Sequence, residues 1–556
     1  MHFSFHFARF SSPFALLLWP ALLFAQPLSL STTQLDFGNV FTHTRDSLSL
    51  TVGNPGNDTL NVTEIRFYAT YDSLTYSVSD SSFTLLPGAT RDLWVYFAPH
   101  HNIQHPAQMV LITDSGRGSV AVSLSGQGKF SNPYYNATEN LHEEALKTAL
   151  KTRLGQGYQQ LSYNAARDEM FMDIDNQRVN GQGATVNTLE GVYTGFTVTG
   201  YTNRTDAQLQ GFNTEHTFPQ GFFGQNLPMR SDIHHLFPTK EAANSERANL
   251  PFGPVANPTW QDGGSRSNGV VFEPRDVHKG VVARCMFYFV LRYQNYQNYL
   301  NSQEAVLRQW HRTFPPAAAE IRRNNDIFAV QNNRSPFVDY PQLLDRITSI
   351  SLASVAPQRP GIDLSEPLID YGTIFGNWDA DYFFVIVNDG NQTLPLTDFL
   401  LGDPALSFVG GTGDDLSLAP GAAHTVIVRI NLPPQASLST TLSFNSGAAQ
   451  GLVQVPVLAV SEGPSAVTEL PASALQLFPN PAAGCLQVEW ETLPGIAASG
   501  LVTLRMYDAR GQVVINQRVP TGARSSRIDT TGLAAGRYVL SLESGGRAWV
   551  RKVGVE

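Results

Sequence analysis

At 556 residues the chain is too long for one hydrophobic core, since single cores stop growing at about 250–300 residues, so several domains are expected. Hydrophobic residues make up 42% and charged residues 15%, as in folded domains, and the 45 Gly and 34 Pro favour β-sandwiches joined by turns. A net charge of −10, if spread evenly, would argue against a nucleic-acid-binding protein, because phosphate contacts require cations.

The N-terminus has the pattern of a secretory signal peptide. Arg9 precedes an apolar run over residues 14–25 that is too short to cross a bilayer as a helix. We therefore predict a signal peptide over residues 1–25. No later segment approaches the length of a membrane span, so the mature chain is expected to lack a transmembrane segment. Its two cysteines, Cys285 and Cys485, stand 200 residues apart and predict no disulfide framework, with Cys285 buried in a core.

Three short motifs occur twice in the chain, at offsets of 334, 334 and 333 residues, which identifies two copies of one module. The paired motifs are 35–40 with 369–374, 54–60 with 388–394, and 86–89 with 419–422. Alternating polar and apolar segments between turn residues predict an antiparallel β-sandwich for each copy. The pattern resembles Ig-like modules of the abnormal-spindle/Hydin type, at about 27–128 and 357–462.

The last block, residues 466–556, is predicted to be another small β-sandwich. It contains the strings Leu477–Pro481, Leu504–Gly511 and Ile528–Val539, and it ends with Arg551–Val555. These strings resemble the C-terminal sorting domain of type IX secretion cargo. The resemblance implies the type IX secretion machinery as a partner and export from a Gram-negative bacterium through the periplasm, to the cell surface or the medium.

Helical patterning is sustained in one block, residues 131–353, which is therefore the predicted site of function. Leu141, Ala145, Leu146 and Leu150 form an apolar stripe, and Asp276 is the expected N-cap of a second helix. Within 131–350 there are 20 Lys and Arg against 21 Asp and Glu, and 16 of those cations are Arg. This block is thus near neutral, and arginine suits bidentate phosphate contacts.

Polar residues gather in three stretches of this block, at 211–220, 231–238 and 239–253. The third predicts a short helix that Thr239 caps and that presents Asn244 and Arg247, three residues apart, on one face. A β-segment ending in Glu215-His216, a loop, and such a helix give the outline of a ββα-metal finger.

These residue types suit phosphodiester hydrolysis. A neutral imidazole such as that of His216 is a suitable general base at ambient pH. Glu215 offers a carboxylate and Asn244 an amide oxygen, and Mg²⁺ favours a few such protein oxygens together with retained waters. The expected cofactor is one Mg²⁺ ion, with Mn²⁺ or Ca²⁺ as alternatives.

Across nearly all of 131–345 the block resembles endonuclease I, a family of periplasmic and secreted nucleases in the His-Me finger superfamily. The resemblance is carried by ordered strings at 168–171, 192–195, 213–219, 232–238, 244–253, 272–280 and 333–339. It implies that His216 is the general base and that Glu215 and Asn244 are the metal ligands. It also implies a phosphate-binding arginine, for which Arg230 and Arg247 are both candidates.

The adjacent His234 and His235 leave two hypotheses open. In the first, one of the two histidines packs behind His216 and orients it. In the second, both histidines bind a metal together with Asp232, although neighbouring residues of a strand point to opposite faces.

The sequence as a whole predicts a multidomain protein with a central α+β His-Me finger nuclease between all-β modules. The expected activity is hydrolysis of DNA with little sequence specificity, and RNA is a further candidate substrate. The main alternative is a surface adhesin whose nuclease-like domain does not catalyse, and a phosphodiesterase acting on other substrates is a third hypothesis. The sequence gives no indication of oligomeric state.

Overall fold

The computed structural model describes most of the chain after its N-terminus. The described residues are 28–56, 59–114, 118–294, 297–359, 361–377, 379–462, 467–468, 475–490, 501–508, 512–520, 523–544 and 547–556. The predicted signal peptide, residues 1–25, lies outside them.

The first module is a β-sandwich of two sheets with strand orders β1-β3-β7-β5 and β2-β9-β8-β4-β6. Its strands are β1 Ser29–Leu30, β2 Gln34–Phe41, β3 Asp46–Gly53, β4 Leu60–Tyr68, β5 Tyr76–Val78, β6 Phe83–Leu85, β7 Thr90–Phe97, β8 Ala107–Thr113 and β9 Ser119–Lys129. Alternate residues point into the core, as Leu93, Val95 and Phe97 do in β7.

The second module repeats this topology, with orders β17-β19-β23-β21 and β18-β25-β24-β20-β22. Its strands are β17 Asp363–Leu364, β18 Ile369–Phe375, β19 Ala380–Val387, β20 Leu394–Leu401, β21 Leu406–Phe408, β22 Leu416–Leu418, β23 Ala423–Ile430, β24 Ser437–Ser446 and β25 Leu452–Glu462. In both modules the first strand of the larger sheet pairs in parallel with the last. The predicted internal repeat is confirmed.

The two sandwiches contact each other, although more than two hundred residues separate them in sequence. The backbone N–H of Ala69 donates to Asp389 Oδ1 at 2.8 Å, and Arg66 Nη1 donates to the carbonyl of Ser365 at 3.3 Å. A buried apolar cluster joins them and comprises Tyr68, Val110, Ile112, Val385 and Val387. The chain therefore returns to its first module after it completes the central domain.

The central domain is built around a long helix, α5, whose residues 282–292 are buried on every side. Its helices are α1 Glu143–Gly155, α2 Tyr163–Glu169, α3 Arg204–Leu209, α4 Glu241–Arg247, α5 Asp276–Tyr293, α6 Gln297–Asn301, α7 Glu304–Thr313, α8 Ala318–Gln331 and α9 Pro336–Asp339. Its strands are β10 Thr188–Glu190, β11 Thr197–Thr199, β12 Phe212–His216, β13 Leu236–Lys240, β14 Trp260–Asp262, β15 Ser265–Ser267 and β16 Phe272–Glu273. Helix α5 begins at Asp276, so the N-cap position falls on Arg275, one residue before the predicted cap.

The C-terminal block is β-rich, with sheet orders β26-β33-β32-β29-β30 and β27-β28-β31. Its strands are β26 Val467–Thr468, β27 Leu475–Phe478, β28 Cys485–Trp490, β29 Leu501–Tyr507, β30 Val513–Pro520, β31 Ser525–Asp529, β32 Gly536–Ser544 and β33 Arg547–Val555. Both cysteines are free thiols, and Cys285 is buried as predicted. Within the described ranges, no helix has the length and hydrophobicity that a membrane span requires.

Candidate active site

The candidate site is framed by an antiparallel strand pair and the helix that follows it. Glu215 and His216 are the last two residues of β12 and pair with Phe237 and Leu236 of β13. Helix α4 starts directly after β13 and packs against β12. The predicted cap residue Thr239 belongs to the strand instead, because pairing with β12 continues through Lys240, and the helix begins one residue later.

The Glu215 carboxylate is buried, with 3% of the residue exposed, and two side chains contact it. The Tyr193 hydroxyl donates to Glu215 Oε1 at 2.7 Å, and Arg247 Nε lies 3.4 Å from the same oxygen. Burial raises the pKa of Glu215 in spite of the opposing charge of Arg247. The second oxygen, Oε2, accepts no hydrogen bond from the described residues, and a cation at this oxygen would favour the ionised form.

Asn244 lies on the same face of α4 as Arg247, the residue that reaches Glu215. Its side chain is half-buried, and its amide forms no hydrogen bond with the described part of the chain. A carboxylate oxygen and an amide oxygen without partners are hard donors of the type that Mg²⁺ prefers. In their donor chemistry these two residues suit a divalent ion. Clusters of three or more His, Cys, Asp or Glu in metal-binding arrangement are absent from the described residues.

His216 faces away from Glu215, as adjacent residues of a strand do. Its ring lies 5.6 Å from the ring of Tyr163 and 5.6 Å from that of His235, measured between centroids. Burial, followed by the charges of His235, Arg230 and Arg167, lowers the pKa of His216 well below its usual value, so the imidazole is neutral. Its Nε2 has no hydrogen-bond partner among the described residues and can accept a proton.

The two further histidines are held by backbone carbonyls. His235 Nε2 lies 2.7 Å from the carbonyl oxygen of Met229, and His234 Nε2 lies 3.2 Å from that of Asn333. His235 is the one that packs against His216. Asp232, the third residue of the metal-binding hypothesis, instead forms a buried ion pair with Arg292 at 2.5 Å.

The two candidate arginines have different surroundings. Arg247 is 1% exposed, and besides its contact with Glu215 it donates to the carbonyls of Thr217 at 2.6 Å and Ala248 at 2.8 Å. Arg230 is half-buried, and its guanidinium carbon lies 4.2 Å from the ring centre of Tyr163. Arg247 is thus occupied by protein groups, whereas Arg230 has no carboxylate partner among the described residues.

Comparison with known proteins identifies the relatives of this domain. The family model "Endonuclease I" matches residues 142–342. The extracellular ribonuclease of Bacillus amyloliquefaciens is 30% identical over 232 residues, which cover 38% of this chain and 77% of the relative. The chain belongs to the endonuclease I family. The extracellular ribonuclease of Bacillus subtilis is 28% identical over 253 residues (42% of this chain and 85% of the relative), and an extracellular deoxyribonuclease of Aeromonas hydrophila is 30% identical over 117 residues (20% and 50%).

The flanking modules of this endonuclease I family member also match known families. Residues 27–127 match a HYDIN/CFA65/VesB-like Ig-like domain, and residues 476–556 match a secretion system C-terminal sorting domain. The protein is a nuclease that hydrolyses phosphodiester bonds, and the type IX sorting domain makes it a secreted or cell-surface protein. These matches favour the nuclease over the alternative of a non-catalytic adhesin.

The fold brings three further residues to the site, Tyr193, Tyr163 and Arg167, to which the sequence alone assigned no role. Tyr193 contacts Glu215, while Tyr163 and Arg167 lie on the side of His216. Tyr193 belongs to the string 192–195, and Arg167 directly precedes the string 168–171, and both strings carried the family resemblance. Their positions could have suggested site residues, but the contacts that define their roles depend on tertiary structure.

Proposed function

We propose that this protein is a divalent-metal-dependent endonuclease that cleaves DNA and RNA with little sequence specificity. The observation that carries the proposal is that two different sets of polar groups surround Glu215 and His216 at the end of β12. Glu215 Oε2 and the amide oxygen of Asn244, on the helix face that also carries Arg247, have no hydrogen-bond partner among the described residues. The neutral imidazole of His216 has different neighbours, and its Nε2 is without a partner in the part of the chain that the structure describes. Relatives named as ribonucleases and as a deoxyribonuclease support activity on both nucleic acids.

In this mechanism His216 acts as the general base, and its Nε2 takes a proton from the water that attacks the phosphorus. Arg230 contacts the scissile phosphate, since it is the candidate arginine that pairs with no carboxylate of the described residues. Arg247 and Tyr193 hold the Glu215 carboxylate in place. A single Mg²⁺ ion, or Mn²⁺ or Ca²⁺, held by Glu215 and Asn244, would supply positive charge to the phosphate and the leaving oxygen.

The strand pair and helix that carry these residues, β12, β13 and α4, are proposed to be the ββα-metal unit of a His-Me finger. We further propose that the nuclease domain occupies 131–353, between sandwiches at 27–128 and 357–462, with the sorting domain at 466–556. His235 is proposed to orient the ring of His216 from behind.

Digestion of plasmid DNA by the purified chain tests the proposal. Mg²⁺ should support digestion, EDTA should stop it, and His216→Ala should abolish it. His43→Asn, in the first sandwich, is the matched control and should digest as the parent does, because His43 is exposed and its φ of 64° is tolerated by asparagine. Digestion by His216→Ala at the parent rate would reject the assignment of the base.

A substrate panel separates the remaining hypotheses. The proposal predicts cleavage of double-stranded DNA, single-stranded DNA and RNA of unrelated sequences. Activity confined to small phosphodiesters would support the phosphodiesterase hypothesis instead, and cleavage of RNA alone would reject the proposed breadth.

A further inference from the structure

Most arginines of the nuclease block are neutralised by carboxylates. Residues 131–353 contain 16 arginines, and 11 of them lie within 4.0 Å of a carboxylate oxygen among the described residues. The five without such a partner are Arg153, Arg167, Arg178, Arg230 and Arg346. Guanidinium groups that no carboxylate neutralises are therefore a minority in this block, and their locations are informative.

Two of these five share one aromatic ring beside the proposed base. The guanidinium carbons of Arg167 and Arg230 lie over the ring of Tyr163, at 4.3 Å and 4.2 Å from its centre. The same ring lies 5.6 Å from that of His216. Tyr163 is the first residue of α2, and Arg167 follows one turn later. Helix α2 in turn packs against the turn Met229–Ser231 that carries Arg230.

The remaining hydrogen-bonding capacity of this pair is large. Arg167 donates from Nη2 to Asn164 Oδ1 at 2.6 Å, but the buried Nε atoms of both Arg167 and Arg230 have no partner among the described residues. The neighbouring Arg204 differs, because Asp168 neutralises it at 2.7 Å. Burial and the charges of Arg204 and Arg230 lower the pKa of Arg167. Two like charges held together, with no counter-ion among the described residues, form a site that favours an anion.

We propose that Arg167 is a second phosphate contact for nucleic acid, beside Arg230, and that Tyr163 is a positioning residue that holds both guanidinium groups. The inference rests on the proposed function, since it takes the His216 side of the site as the path of the nucleic-acid backbone. Guanidinium groups bind phosphate oxygens bidentately, and a tyrosine face holds them by cation–π attraction without consuming their N–H donors. Since both groups lie within 4.3 Å of one ring centre, the same stretch of nucleic-acid backbone can contact them both.

The test measures binding separately from cleavage, in the full chain carrying His216→Ala. Affinity for a fluorescent DNA duplex is measured by anisotropy over a series of NaCl concentrations in the presence of Mg²⁺. Adding Arg167→Gln should weaken binding several-fold at low salt and make the plot of log affinity against log salt shallower by about one, because one phosphate contact is lost. Arg153→Gln is the matched control: Arg153 also lies over a tyrosine ring, Tyr134 at 3.7 Å, but its Nε donates to the protein. Its salt slope should equal that of the parent.

Substitutions of Tyr163 test the positioning role. Tyr163→Phe keeps the ring and should retain the salt slope, whereas Tyr163→Leu should reduce it by about as much as Arg167→Gln does. Rescue by phenylalanine would not be expected if the tyrosine acted through its hydroxyl. An unchanged slope in Arg167→Gln, with melting temperature as in the parent, would overturn the proposal.

The result that would reject the proposed function differs from the result that would reject the role of Arg167. If the chain carrying His216→Ala alone cleaves the duplex as fast as the unsubstituted chain, the base is misassigned, whatever the salt slopes show. If its cleavage falls at least a hundredfold, and the slopes of Arg167→Gln and Arg153→Gln are equal, the function stands and the phosphate contact of Arg167 is rejected.

Discussion

Asp232 provides the sharpest prediction for stability, because its carboxylate is fully buried and fully engaged. Oδ2 accepts hydrogen bonds from Arg292 Nη1 at 2.5 Å, Tyr293 Oη at 2.8 Å and Tyr288 Oη at 2.9 Å. Oδ1 accepts from Gln331 Nε2 at 3.1 Å. This network fixes the start of the segment that carries His234 and His235 next to the candidate base.

Asp232→Asn keeps the shape of the side chain and removes its charge. Arg292, whose side chain is 6% exposed, then remains buried without a counter-charge. Breaking a buried pair in this way costs about 3–5 kcal/mol. For a domain of this size each kcal/mol corresponds to about 2–4 °C, so the melting temperature should fall by about 6–20 °C.

Scanning calorimetry of the full chain measures the transition, and Asp345→Asn is the matched control. Asp345 lies 3.5 Å from Arg312, but the two side chains are 47% and 63% exposed, so this substitution should cost less than about 1 kcal/mol. The charge of Arg292 is the largest of the effects that lower the pKa of Asp232. The stabilisation from Asp232 is therefore present above the unfolded pKa of about 3.9 and is lost as the pH falls. The deficit of Asp232→Asn should shrink below about pH 4, and equal melting temperatures for the two variants at pH 7 would refute this reasoning.

Three further predictions concern the core, the site and the thiols. Phe218→Ala should lower the free energy of unfolding by about 3–5 kcal/mol in urea denaturation, because this ring is buried and stacks at 4.1 Å on another phenylalanine. Tyr193→Phe removes the hydroxyl that donates to Glu215 and should raise the Mg²⁺ concentration for half-maximal cleavage by about tenfold, since hydrogen bonds to charged groups contribute about 1.5–3 kcal/mol. Iodoacetamide should label native protein at Cys485 before Cys285, because Cys285 is buried and burial raises the pKa of its thiol, as peptide mass spectrometry would show.

Matched variants provide controls for the first two of these predictions. Phe222→Ala removes a ring that is 46% exposed and should cost much less stability than Phe218→Ala. Tyr201→Phe removes a buried hydroxyl that donates to the carbonyl of Phe171, so it should leave the Mg²⁺ requirement unchanged. Equal losses in the phenylalanine pair, equal Mg²⁺ shifts in the tyrosine pair, or faster labelling of Cys285 would each contradict the corresponding prediction.

The repeated modules and the site motifs could be predicted from sequence because their information is local. Alternation along strands and turn residues at a fixed offset are sufficient to find both sandwiches. The contact between the two sandwiches was only weakly indicated by the sequence. Strand β8 is apolar on both faces, from Met109 to Ile112, and such a run is typical of a strand buried on both sides, but it does not identify what covers the second face.

The surroundings of the candidate site depend on contacts between residues far apart in sequence. Tyr163 and Arg230 meet across 67 positions, so spacing alone could not link them. Sequence left Arg230 and Arg247 as equal candidates, and only the fold distinguishes a guanidinium buried against Glu215 from one beside His216. The start of α4 was misplaced for a similar reason, since pairing with β12 extends the strand.

The central claim is that Glu215 and Asn244 bind the metal ion while His216 acts as the general base. A Mg²⁺ titration of cleavage rates tests this claim most directly. Asn244→Ala and Glu215→Gln should raise the Mg²⁺ concentration for half-maximal rate and recover part of their activity at high Mg²⁺. His216→Ala should lower the maximal rate by at least a hundredfold and leave no activity that Mg²⁺ restores. Recovery of His216→Ala by high Mg²⁺, or an unchanged Mg²⁺ requirement in Asn244→Ala, would contradict the account.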